Sequence, residues 1–505
     1  MSETIRDLLE TGGENAPAIA AEGIADLGHG DLRNFADAMV AKLNALGIGR
    51  HDRVAIVLPN GPHMAAAFLS IACAATTAPL NPAYREDEFE FYLDDLNARA
   101  LVVMQDYDGP ALKVAKNRGI AILRLIPDAD TAGLFRLTGP SAGACRNPGA
   151  AGKTDVALVL HTSGTTSRPK IVPLNHVNLV ASANHIRISL SLAPSDRCLN
   201  IMPLFHIHGL IAAVLSSVGA GGSVWCSTGF NALKFFNWVE AATPTWYTAV
   251  PTMHQAILTR AARNADTIAD FPMRLIRSSS SSLPPQVMSA LEEIFTCPVI
   301  ESYGMTEATH QMTSNPLPPA DRKPGTVGVA AGPDVGIMDP DGRFLVRGKK
   351  GEIVIRGPNV TPGYEANPTA NEENFVNGWF RTGDQGVMDA EGYLTITGRL
   401  KEIINRGGEK ISPREVDDVL MDHPSVQQVV TFARKHPKLG EDVAAAIVLA
   451  EGQEATDRDI KDFAARRMAD FKVPRTVLFL DEIPKGATGK LQRIGLAAKL
   501  GLEGE

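Results

Sequence analysis

The segment His161–Lys170 (HTSGTTSRPK) concentrates side chains that bind phosphate groups. Gly164 has no side chain, so the backbone N–H groups beside it can approach a ligand closely. Arg168 and Lys170 add positive charge, and further hydroxyl donors come from Thr162, Ser163, Thr165, Thr166 and Ser167. Such a loop suits a polyphosphate, although it lacks the GxxxxGK(S/T) pattern of a P-loop. By composition it also fits a polar surface turn.

Two later motifs place carboxylates beside small or hydroxyl residues. Tyr303–Glu307 (YGMTE) follows a strand-like run, and its Glu307 beside Thr306 suits a Mg²⁺ ion that bridges phosphate oxygens. Arg381–Asp384 (RTGD) predicts a tight turn whose carboxylate can accept hydrogen bonds from both hydroxyls of a ribose. Each motif is also compatible with an ordinary turn.

Glycines and cations recur toward the C-terminus. Gly398–Lys401 (GRLK) predicts a charged bend, and Asn405–Lys410 (NRGGEK) carries a glycine pair that allows close approach to a ligand. Pro484–Lys490 (PKGATGK) predicts a flexible segment that ends in a cation. Taken singly, these segments are also typical of charged surface loops.

Alternating strands and helices must position these motifs. Arg53–Leu58, Ala100–Met104 and Asp155–Leu160 are apolar runs typical of buried strands, and Met64–Ala75 has the small and apolar residues of a packed helix. The third of these strands leads directly into His161–Lys170. This alternation predicts an α/β fold with layered subdomains and parallel sheets.

The residue pattern of the sequence changes after about residue 325. Gly351–Arg356 and Gly392–Thr397, with short Pro and Gly turns between them, predict a compact β-rich subdomain. From about residue 401 the pattern predicts a small α+β domain. Its helices are expected at Ser412–Met421, with Ser412 as N-cap, and at Asp457–Ala469, and its strands at Gln427–Ala433 and Val443–Ala450.

Composition limits the classes of function. The 505 residues are 44% hydrophobic and 21% charged, as in a globular protein with a sizeable core. A net charge of −8 argues against nucleic-acid binding as the main function. The five cysteines are far apart without a CxxC pair, which argues against a disulfide framework or a zinc site.

The termini and the apolar windows carry no targeting pattern. The sequence MSETIRDLLE lacks a secretory signal, the C-terminal GLEGE lacks a peroxisomal address, and Met64–Leu80 is too short and too weakly apolar for a membrane span. We therefore expect a cytoplasmic protein with neither a membrane nor a nucleic acid as partner.

Together, and in this order, the motifs resemble those of the acyl-adenylate-forming superfamily, which contains acyl-CoA synthetases, 4-coumarate ligases, firefly luciferase and peptide-synthetase adenylation domains. The resemblance covers nearly the whole chain, because its blocks run from His161–Lys170 to Pro484–Lys490. It implies ATP, Mg²⁺ and coenzyme A as ligands. It also implies a large N-terminal domain over residues 1–398, a hinge at 399–402 and a small mobile C-terminal domain over residues 403–505.

The resemblance also implies roles for individual residues at the nucleotide. The loop His161–Lys170 would hold the β- and γ-phosphates, and Thr306 would contact the α-phosphate. Metal binding would fall to Thr165 and Glu307. The segments that flank adenine would be Ser280, Ser281, Ser282, Glu301, Ser302 and Tyr303, while the ribose would be bound by Asp384 and Arg399.

The resemblance also implies roles for residues of the hinge and the small domain. Lys490 would enter the site as an electrostatic clamp during adenylation, when a carboxylate must approach a polyanion. Rotation about Lys401 would then withdraw it and present Gly407 and Gly408 to the pantetheine arm of coenzyme A. Pro484–Lys490 also resembles segments in which the lysine is reversibly acetylated, so an acetyltransferase and a deacetylase are expected partners.

Within the superfamily, four blocks resemble the oxalate–CoA ligases of plants and fungi: His161–Lys170, Pro203–Gly209 (PLFHIHG), Trp246–Pro251 and Glu301–His310. Oxalate has no apolar tail, and its second carboxylate needs hydrogen-bond donors. We expect His206, Ser280 and His310 to bind the acid, with His206 also counted among the catalytic residues, and we expect His208 to lie behind them.

Several departures and alternatives stay open. Many relatives have Gly at the positions of Ser167 and Ile171, and Gly304 also departs from the oxalate–CoA ligase pattern. Malonyl-CoA ligases have similar blocks, but they have Arg at the position that Ser302 occupies in this sequence. Other short- or medium-chain acids remain alternatives, as do transfer to a carrier-protein thiol and a binding protein with a decayed site.

Overall fold

The structure is a computed structural model that describes residues 2–162, 169–484 and 492–502. Ser163, Gly164, Thr165, Thr166 and Lys490 lie outside the described residues. The helices in the described part are α1 (Ile5–Leu8), α2 (His29–Ala45), α3 (Pro62–Ala72), α4 (Glu86–Asp95), α5 (Pro110–Asn117), α6 (His176–Ser189), α7 (Ser216–Gly219), α8 (Phe235–Ala242), α9 (Pro251–Ala261), α10 (Ala265–Asp270), α11 (Pro285–Phe295), α12 (Pro368–Asn374), α13 (Pro413–Met421), α14 (Asp457–Ala465) and α15 (Leu496–Lys499).

The strands of the described part form four sheets. Those before residue 330 are β1 (Pro17–Ala20), β2 (Leu27–Gly28), β3 (Arg53–Val57), β4 (Thr76–Pro79), β5 (Ala100–Met104), β6 (Ala121–Pro127), β7 (Phe135–Thr138), β8 (Val156–His161), β9 (Ile171–Asn175), β10 (Arg197–Asn200), β11 (Ser223–Cys226), β12 (Trp246–Ala249), β13 (Leu275–Ser278), β14 (Val299–Met305), β15 (His310–Ser314) and β16 (Val329–Ala330). The later strands are β17 (Asp334–Met338), β18 (Lys350–Arg356), β19 (Phe375–Val376), β20 (Trp379–Met388), β21 (Leu394–Arg399), β22 (Ile404–Arg406), β23 (Glu409–Ile411), β24 (Val426–His436), β25 (Gly440–Leu449) and β26 (Thr476–Phe479).

Two large sheets build the first part of the chain. One has the order β16-β15-β14-β13-β12-β10-β11-β1-β2, and the other has the order β7-β6-β5-β3-β4-β8-β9. Their central strands pair in parallel, as predicted, and antiparallel strands close the edges. The layered α/β fold class is therefore confirmed.

Apolar faces explain the layering of this part. Helices α2, α3 and α6 pack between the two sheets in the largest core cluster, while α8, α9 and α11 cover the outer face of the nine-stranded sheet. Helices α4 and α5 cover the outer face of the seven-stranded sheet. The loops that follow β12, β13 and β14 leave the sheet at the carboxyl ends of parallel strands, where open α/β sheets bind ligands.

The remaining two sheets lie in the regions predicted to be a β-rich subdomain and a small α+β domain. One has the order β17-β18-β20-β19 with β21 on β20, and the other has the order β23-β22-β25-β24 with β26 on β25. Helices α13 and α14 cover the latter with a separate apolar core. The separate C-terminal unit is thereby confirmed, while the exact domain and hinge boundaries stay predictions.

Two local predictions need correction. The segment Arg381–Asp384 does not form a tight turn but lies inside β20, because β18 and β21 supply ladder partners on both sides, with a register irregularity near Asp384. The second helix of the small unit ends at Ala465 instead of Ala469. Ser412 is the N-cap residue of α13, but its hydroxyl donates to the carbonyl of Thr397 on β21.

Within the described residues, no helix combines the length and the apolar character that a membrane crossing requires.

Candidate active site

A cavity of about 430 Å³ opens between the loops after β12, β13 and β14 and helix α13. Its floor and walls combine hydroxyls, carboxylates and guanidinium groups. Those that the following paragraphs use are Thr162, Ser280, Ser281, Ser282, Ser302, Tyr303, Thr306, Glu307, Asp384, Arg399, Glu402, Arg414, Asp417 and Arg493. Most of the predicted nucleotide-binding residues in the described part therefore meet at one cavity.

The serine run forms one wall directly after β13. Ser278 ends this strand, and the hydroxyl of Ser279 donates to the backbone carbonyl of Ser302 at 2.9 Å, which ties the run to β14. Ser280 adopts a left-handed backbone conformation (φ 73°) that is uncommon for a residue with a side chain. Its side chain lines the cavity together with those of Ser281 and Ser282.

The end of β14 brings Glu307 to the cavity. The strand ends at Met305, and Thr306 begins a single 3₁₀ turn. The hydroxyl of Tyr364 donates to Oε1 of Glu307 at 2.8 Å, and Nζ of Lys170 lies 4.4 Å from the centre of the Tyr364 ring. Burial raises the pKa of Glu307, although the Tyr364 hydrogen bond and the charge of Lys170 oppose this rise. A bound cation would relieve the same cost of burial.

Asp384 joins two other predicted residues. The hydroxyl of Tyr303 donates to Oδ2 of Asp384, and Nε of Arg399 lies 3.5 Å from Oδ1. Burial lowers the pKa of Arg399, but the negative charges of Asp384 and Glu402 outweigh it and raise that pKa overall. A carboxylate held in this way presents acceptor oxygens at the cavity wall, as a ribose site requires.

Glu301 lies close to this site but not on its wall. Its Oε1 accepts a hydrogen bond from the backbone N–H of Leu283 at 2.9 Å, whereas Oε2 has no partner among the described residues. Burial raises the pKa of Glu301 to about 7, against the opposing charge of Arg414. The predicted direct contact with adenine therefore stays a prediction, and Ser302 and Tyr303 are the nearer candidates.

The two ends of the phosphate loop are held together. The backbone N–H of Thr162 donates to the carbonyl of Lys170 at 3.0 Å, and the N–H of Lys170 donates to the hydroxyl of Thr162 at 3.2 Å. Ile171, unusual by sequence, is the first residue of β9, and its side chain is buried against the α4 and α5 layer. The residues between these two ends lie outside the described part.

Two predicted acid-binding histidines lie away from the cavity wall. His310 is buried at the start of β15, and its Nε2 lies 3.1 Å from Nη1 of Arg277. His206 packs its ring against Phe205 at a centroid distance of 4.5 Å. Neither side chain is among those that line the cavity. Ser280, by contrast, lines it directly.

His208 lies directly behind Ser280, one of the residues predicted to bind the acid. It begins a π-helical segment over His208–Leu215, a feature often found at functional sites. Its Nδ1 lies 3.0 Å from Oγ of Ser280, and its Nε2 lies 2.6 Å from Oγ1 of Thr248. Its ring stacks on that of His310 at a centroid distance of 4.8 Å.

The segment predicted as a hinge connects the cavity with the small unit. Lys401 is exposed in a 3₁₀ turn over Leu400–Glu402. Arg493 lies 3.4 Å from Glu402 and 2.6 Å from Asp417 on α13. A further contact between the two units runs from Gln286 to Asp422 at 3.1 Å.

The glycine pair predicted to contact coenzyme A lies elsewhere. Gly407 and Gly408 form the tip of the β22–β23 hairpin, and both have positive φ angles, of 61° and 101°. The N–H of Gly407 donates to the carbonyl of Leu439 at 2.9 Å. In this conformation the pair does not line the cavity.

Tyr364, Arg493 and Arg277 escaped the sequence analysis, and Thr248 appeared there only as part of the Trp246–Pro251 block. Tyr364 and Arg493 belong to no motif, and no sequence signal links them to Glu307 or Asp417. Arg277 did leave a signal, because a cation interrupts the apolar strand β13 just before the serine run. A charge inside a buried strand indicates a functional site or a paired partner.

The chain belongs to the AMP-binding enzyme family, which it matches over residues 10–365. Residues 415–490 match the C-terminal domain of AMP-binding enzymes. The predicted superfamily is thereby confirmed.

Curated relatives and a solved structure extend this match. The chain is 43% identical to the oxalate–CoA ligase of Arabidopsis thaliana, with 97% of this chain and 98% of that protein covered. It is 44% identical to the oxalate–CoA ligase of Saccharomyces cerevisiae, with 88% and 86% covered. The crystal structure of ATP-bound MatB from Rhodopseudomonas palustris superposes with a TM-score of 0.88 at 29% identity, with 97% of each chain covered.

Proposed function

We propose that this protein is an AMP-forming acid–thiol ligase that joins oxalate to coenzyme A with consumption of ATP. The observation that carries the choice of acid is the hydroxyl wall of Ser280–Ser282 backed by His208 and Arg277, which offers hydrogen-bond donors where a fatty acid would need an apolar tunnel. Two relatives that are named oxalate–CoA ligases and match most of the chain support the same choice.

In the first half-reaction, a carboxylate oxygen of the acid attacks the α-phosphorus of ATP and pyrophosphate leaves. We assign Asp384 to the ribose hydroxyls, because its carboxylate is fixed at the wall by Tyr303 and Arg399. Thr306 lies at the wall next to Glu307 and suits the α-phosphate. Ser302 and Tyr303 line the wall that adenine would cover.

Mg²⁺ is part of this proposal. Glu307 is a buried carboxylate at the cavity, and a single carboxylate combined with substrate phosphates is a usual Mg²⁺ site. Among the described residues, no group of three or more His, Cys, Asp or Glu side chains could hold a metal ion on its own. When bound, Mg²⁺ would supply positive charge to the phosphates.

In the second half-reaction, the thiol of coenzyme A attacks the acyl carbon and AMP leaves. Gly407 and Gly408 lie away from the cavity in this conformation, so we infer that the small unit rotates about the segment around Lys401 between the two steps. Lys490 would leave the site in the same movement. An acetyltransferase and a deacetylase that act on Lys490 remain a hypothesis from the sequence.

A substrate panel tests the proposal through pyrophosphate release. Oxalate, malonate, acetate and octanoate are compared, each with ATP and Mg²⁺ and with or without coenzyme A. We expect oxalate to give the highest kcat/KM, and we expect oxalyl-CoA and AMP as products. Higher turnover of malonate or octanoate than of oxalate would contradict the choice of acid, and acylation of a carrier-protein thiol in place of coenzyme A would contradict the choice of acceptor.

A further inference from the structure

Arg277 is a buried cation without an acidic partner in the described part of the chain. Its side chain is fully buried on β13, and Nε has no hydrogen-bond partner there. Nη1 lies 3.1 Å from Nε2 of His310 and 3.4 Å from Oγ1 of Thr248, and Nη2 lies 3.2 Å from Oε1 of Gln311. Burial lowers the pKa of Arg277 to about 9. An uncompensated buried cation reduces stability, so its presence needs a reason.

The chemistry of arginine fixes the direction of these hydrogen bonds. A guanidinium group only donates, so Nε2 of His310 accepts and this ring is neutral with its proton on Nδ1. The side-chain amide of Gln311 is also fixed, because its Nε2 donates to Ser189 at 2.9 Å and to the carbonyl of Ala331 at 3.1 Å. Its Oε1 must therefore be the atom that faces Arg277.

The hydrogen bond from Arg277 to Thr248 leads toward the cavity wall. Thr248 and Arg277 are cross-strand partners of β12 and β13, and Oγ1 of Thr248 accepts from Nη1 of Arg277. The Thr248 hydroxyl can then donate to Nε2 of His208, whose Nδ1–H donates to Oγ of Ser280. This series of hydrogen bonds ends at the Ser280 hydroxyl, which can donate its own proton into the cavity. A donor in this place, with a positive charge behind it, matches an anion.

Backbone geometry indicates that this arrangement is held under strain. Ser280 at φ 73° and His310 at φ 94° both adopt the left-handed region, and Thr309 does so at φ 49°. Such conformations persist where the surrounding structure imposes them, and they cluster at functional sites. The glycine at 304 belongs to the same arrangement, because a Cβ there would lie 1.7 Å from the carbonyl oxygen of His310.

We propose that Arg277 is a positioning residue that makes the acid site selective for a dicarboxylate, by acting through Thr248, His208 and Ser280 on the carboxylate that does not react. This inference rests on the proposed function. The acid would supply the negative charge that the described residues do not place beside Arg277. A monocarboxylate of the same size would leave that charge uncompensated.

Oxalate and glyoxylate form a matched pair for the test, because both have two carbons and differ only in whether the second carbon belongs to a carboxylate or to an aldehyde. We would measure kcat and KM for both acids by pyrophosphate release, in the wild-type enzyme and in Arg277→Met. We expect the KM for oxalate to rise about 30-fold or more, with kcat changed less than threefold and the KM for ATP unchanged. The ratio of kcat/KM for oxalate to kcat/KM for glyoxylate, which measures the discrimination between them, should fall at least tenfold.

Two further variants separate charge from structure. Arg277→Lys keeps the positive charge and should recover at least half of the lost discrimination on a logarithmic scale. Arg274→Met removes a neighbouring cation that pairs with Asp196 at 3.0 Å, away from the cavity, and should leave the KM for oxalate within twofold. Thermal unfolding should show a cooperative transition for Arg277→Met, because the loss of the uncompensated buried charge offsets the loss of the hydrogen bonds to Thr248, His310 and Gln311.

The outcomes distinguish this inference from the proposed function. A wild-type enzyme that does not turn over oxalate contradicts the proposed function, and malonate against acetate then replaces the pair. If the folded Arg277→Met variant keeps the wild-type preference for the dicarboxylate within threefold, the role of Arg277 is wrong. The same holds if the KM for ATP rises as much as that for the acid, or if the wild type prefers the monocarboxylate.

Discussion

The cavity has two halves under the proposed function, one for the nucleotide and one for the acid, and they handle charge in opposite ways. At the nucleotide half, carboxylates and a guanidinium lie on the wall and have partners: Asp384 contacts Tyr303 and Arg399, and Glu307 contacts Tyr364. At the acid half, the wall presents serine hydroxyls, and the cation lies behind them at Arg277 without an acidic partner in the described part.

This difference follows from what each half would have to do under the proposed function. The nucleotide brings fixed negative charge and binds to charged groups and to a cation. The acid must be held by one carboxylate while the other stays nucleophilic. An arginine in direct contact would form two strong hydrogen bonds to a carboxylate and would hold electron density there. A cation that acts through neutral donors attracts the anion without that contact.

Glu307→Gln tests the nucleotide half and should have the largest effect. The variant keeps the size of the side chain but removes the charge that would hold Mg²⁺, so we expect kcat/KM for adenylation to fall about 1,000-fold. Pyrophosphate release at varied Mg²⁺ concentrations measures it. Glu365→Gln, next to Tyr364 and paired with Arg53 outside the cavity, is the control and should keep its activity. A fall of less than tenfold in Glu307→Gln contradicts the proposed Mg²⁺ site.

Glu301→Gln tests the premise that a buried charge without an ion-pair partner among the described residues costs stability. Burial raises the pKa of Glu301 from 4.5 to about 7. The neutral carboxyl is thus favoured in the folded state, and the loss of stability begins as the pH rises through about 4.5 and is complete above about 7. The variant should be more stable than the wild type by roughly 3 kcal/mol at pH 8 and equally stable at pH 4.

Denaturant unfolding of both proteins across this pH range measures the difference. Glu293→Gln is the control, since its carboxylate lies on the exposed face of α11, and should show no pH-dependent difference from the wild type. A stability difference that is the same at every pH would contradict the assignment to Glu301.

Thr248→Val tests the acid half and should have a smaller effect. The substitution keeps the shape of the side chain but removes the hydroxyl between Arg277 and His208. We expect the KM for oxalate to rise about tenfold, equivalent to ~1.4 kcal/mol, with the KM for ATP unchanged. Thr245→Val, which removes a hydroxyl bonded to Asp196 near the start of the same strand, should leave both constants unchanged. An equal rise in the KM for ATP would erase the distinction between the halves.

Tyr364→Phe should have the smallest effect. It removes the hydrogen bond to Glu307 but leaves the ring beneath Lys170, and one such hydrogen bond is worth about 1 kcal/mol. We expect kcat/KM to fall about fivefold, with a higher Mg²⁺ concentration needed for half-maximal rate. Tyr393→Phe, which removes a hydroxyl bonded to the carbonyl of Asp321, is the control. An unchanged Mg²⁺ dependence would show that Tyr364 does not position Glu307.

The sequence by itself determined the layered α/β class, the β-rich region after residue 325 and the family. It also predicted many of the residues that line the proposed nucleotide half, because short contiguous motifs such as Tyr303–Glu307 carry both the strand end and the groups at the wall. Apolar periodicity and turn residues act over a few positions, so they are visible in a linear sequence. The turn predicted at Arg381–Asp384 was wrong because ladder partners from β18 and β21 override local glycine preference.

The sequence named Ser280, His208 and His310 for the proposed acid half, but only tertiary structure decided how they are connected. Arg277, Thr248, His208 and His310 come from β13, β12, a π-helical segment and β15, and only the parallel register of β12 with β13 places Thr248 beside Arg277. Tertiary structure also separated Ser280 on the wall from His310 behind it, and it explained Ile171 as a core residue of β9. Hydrogen bonds between distant strands leave no pattern in local spacing, since each partner is specified by packing and register instead of by its neighbours in the chain.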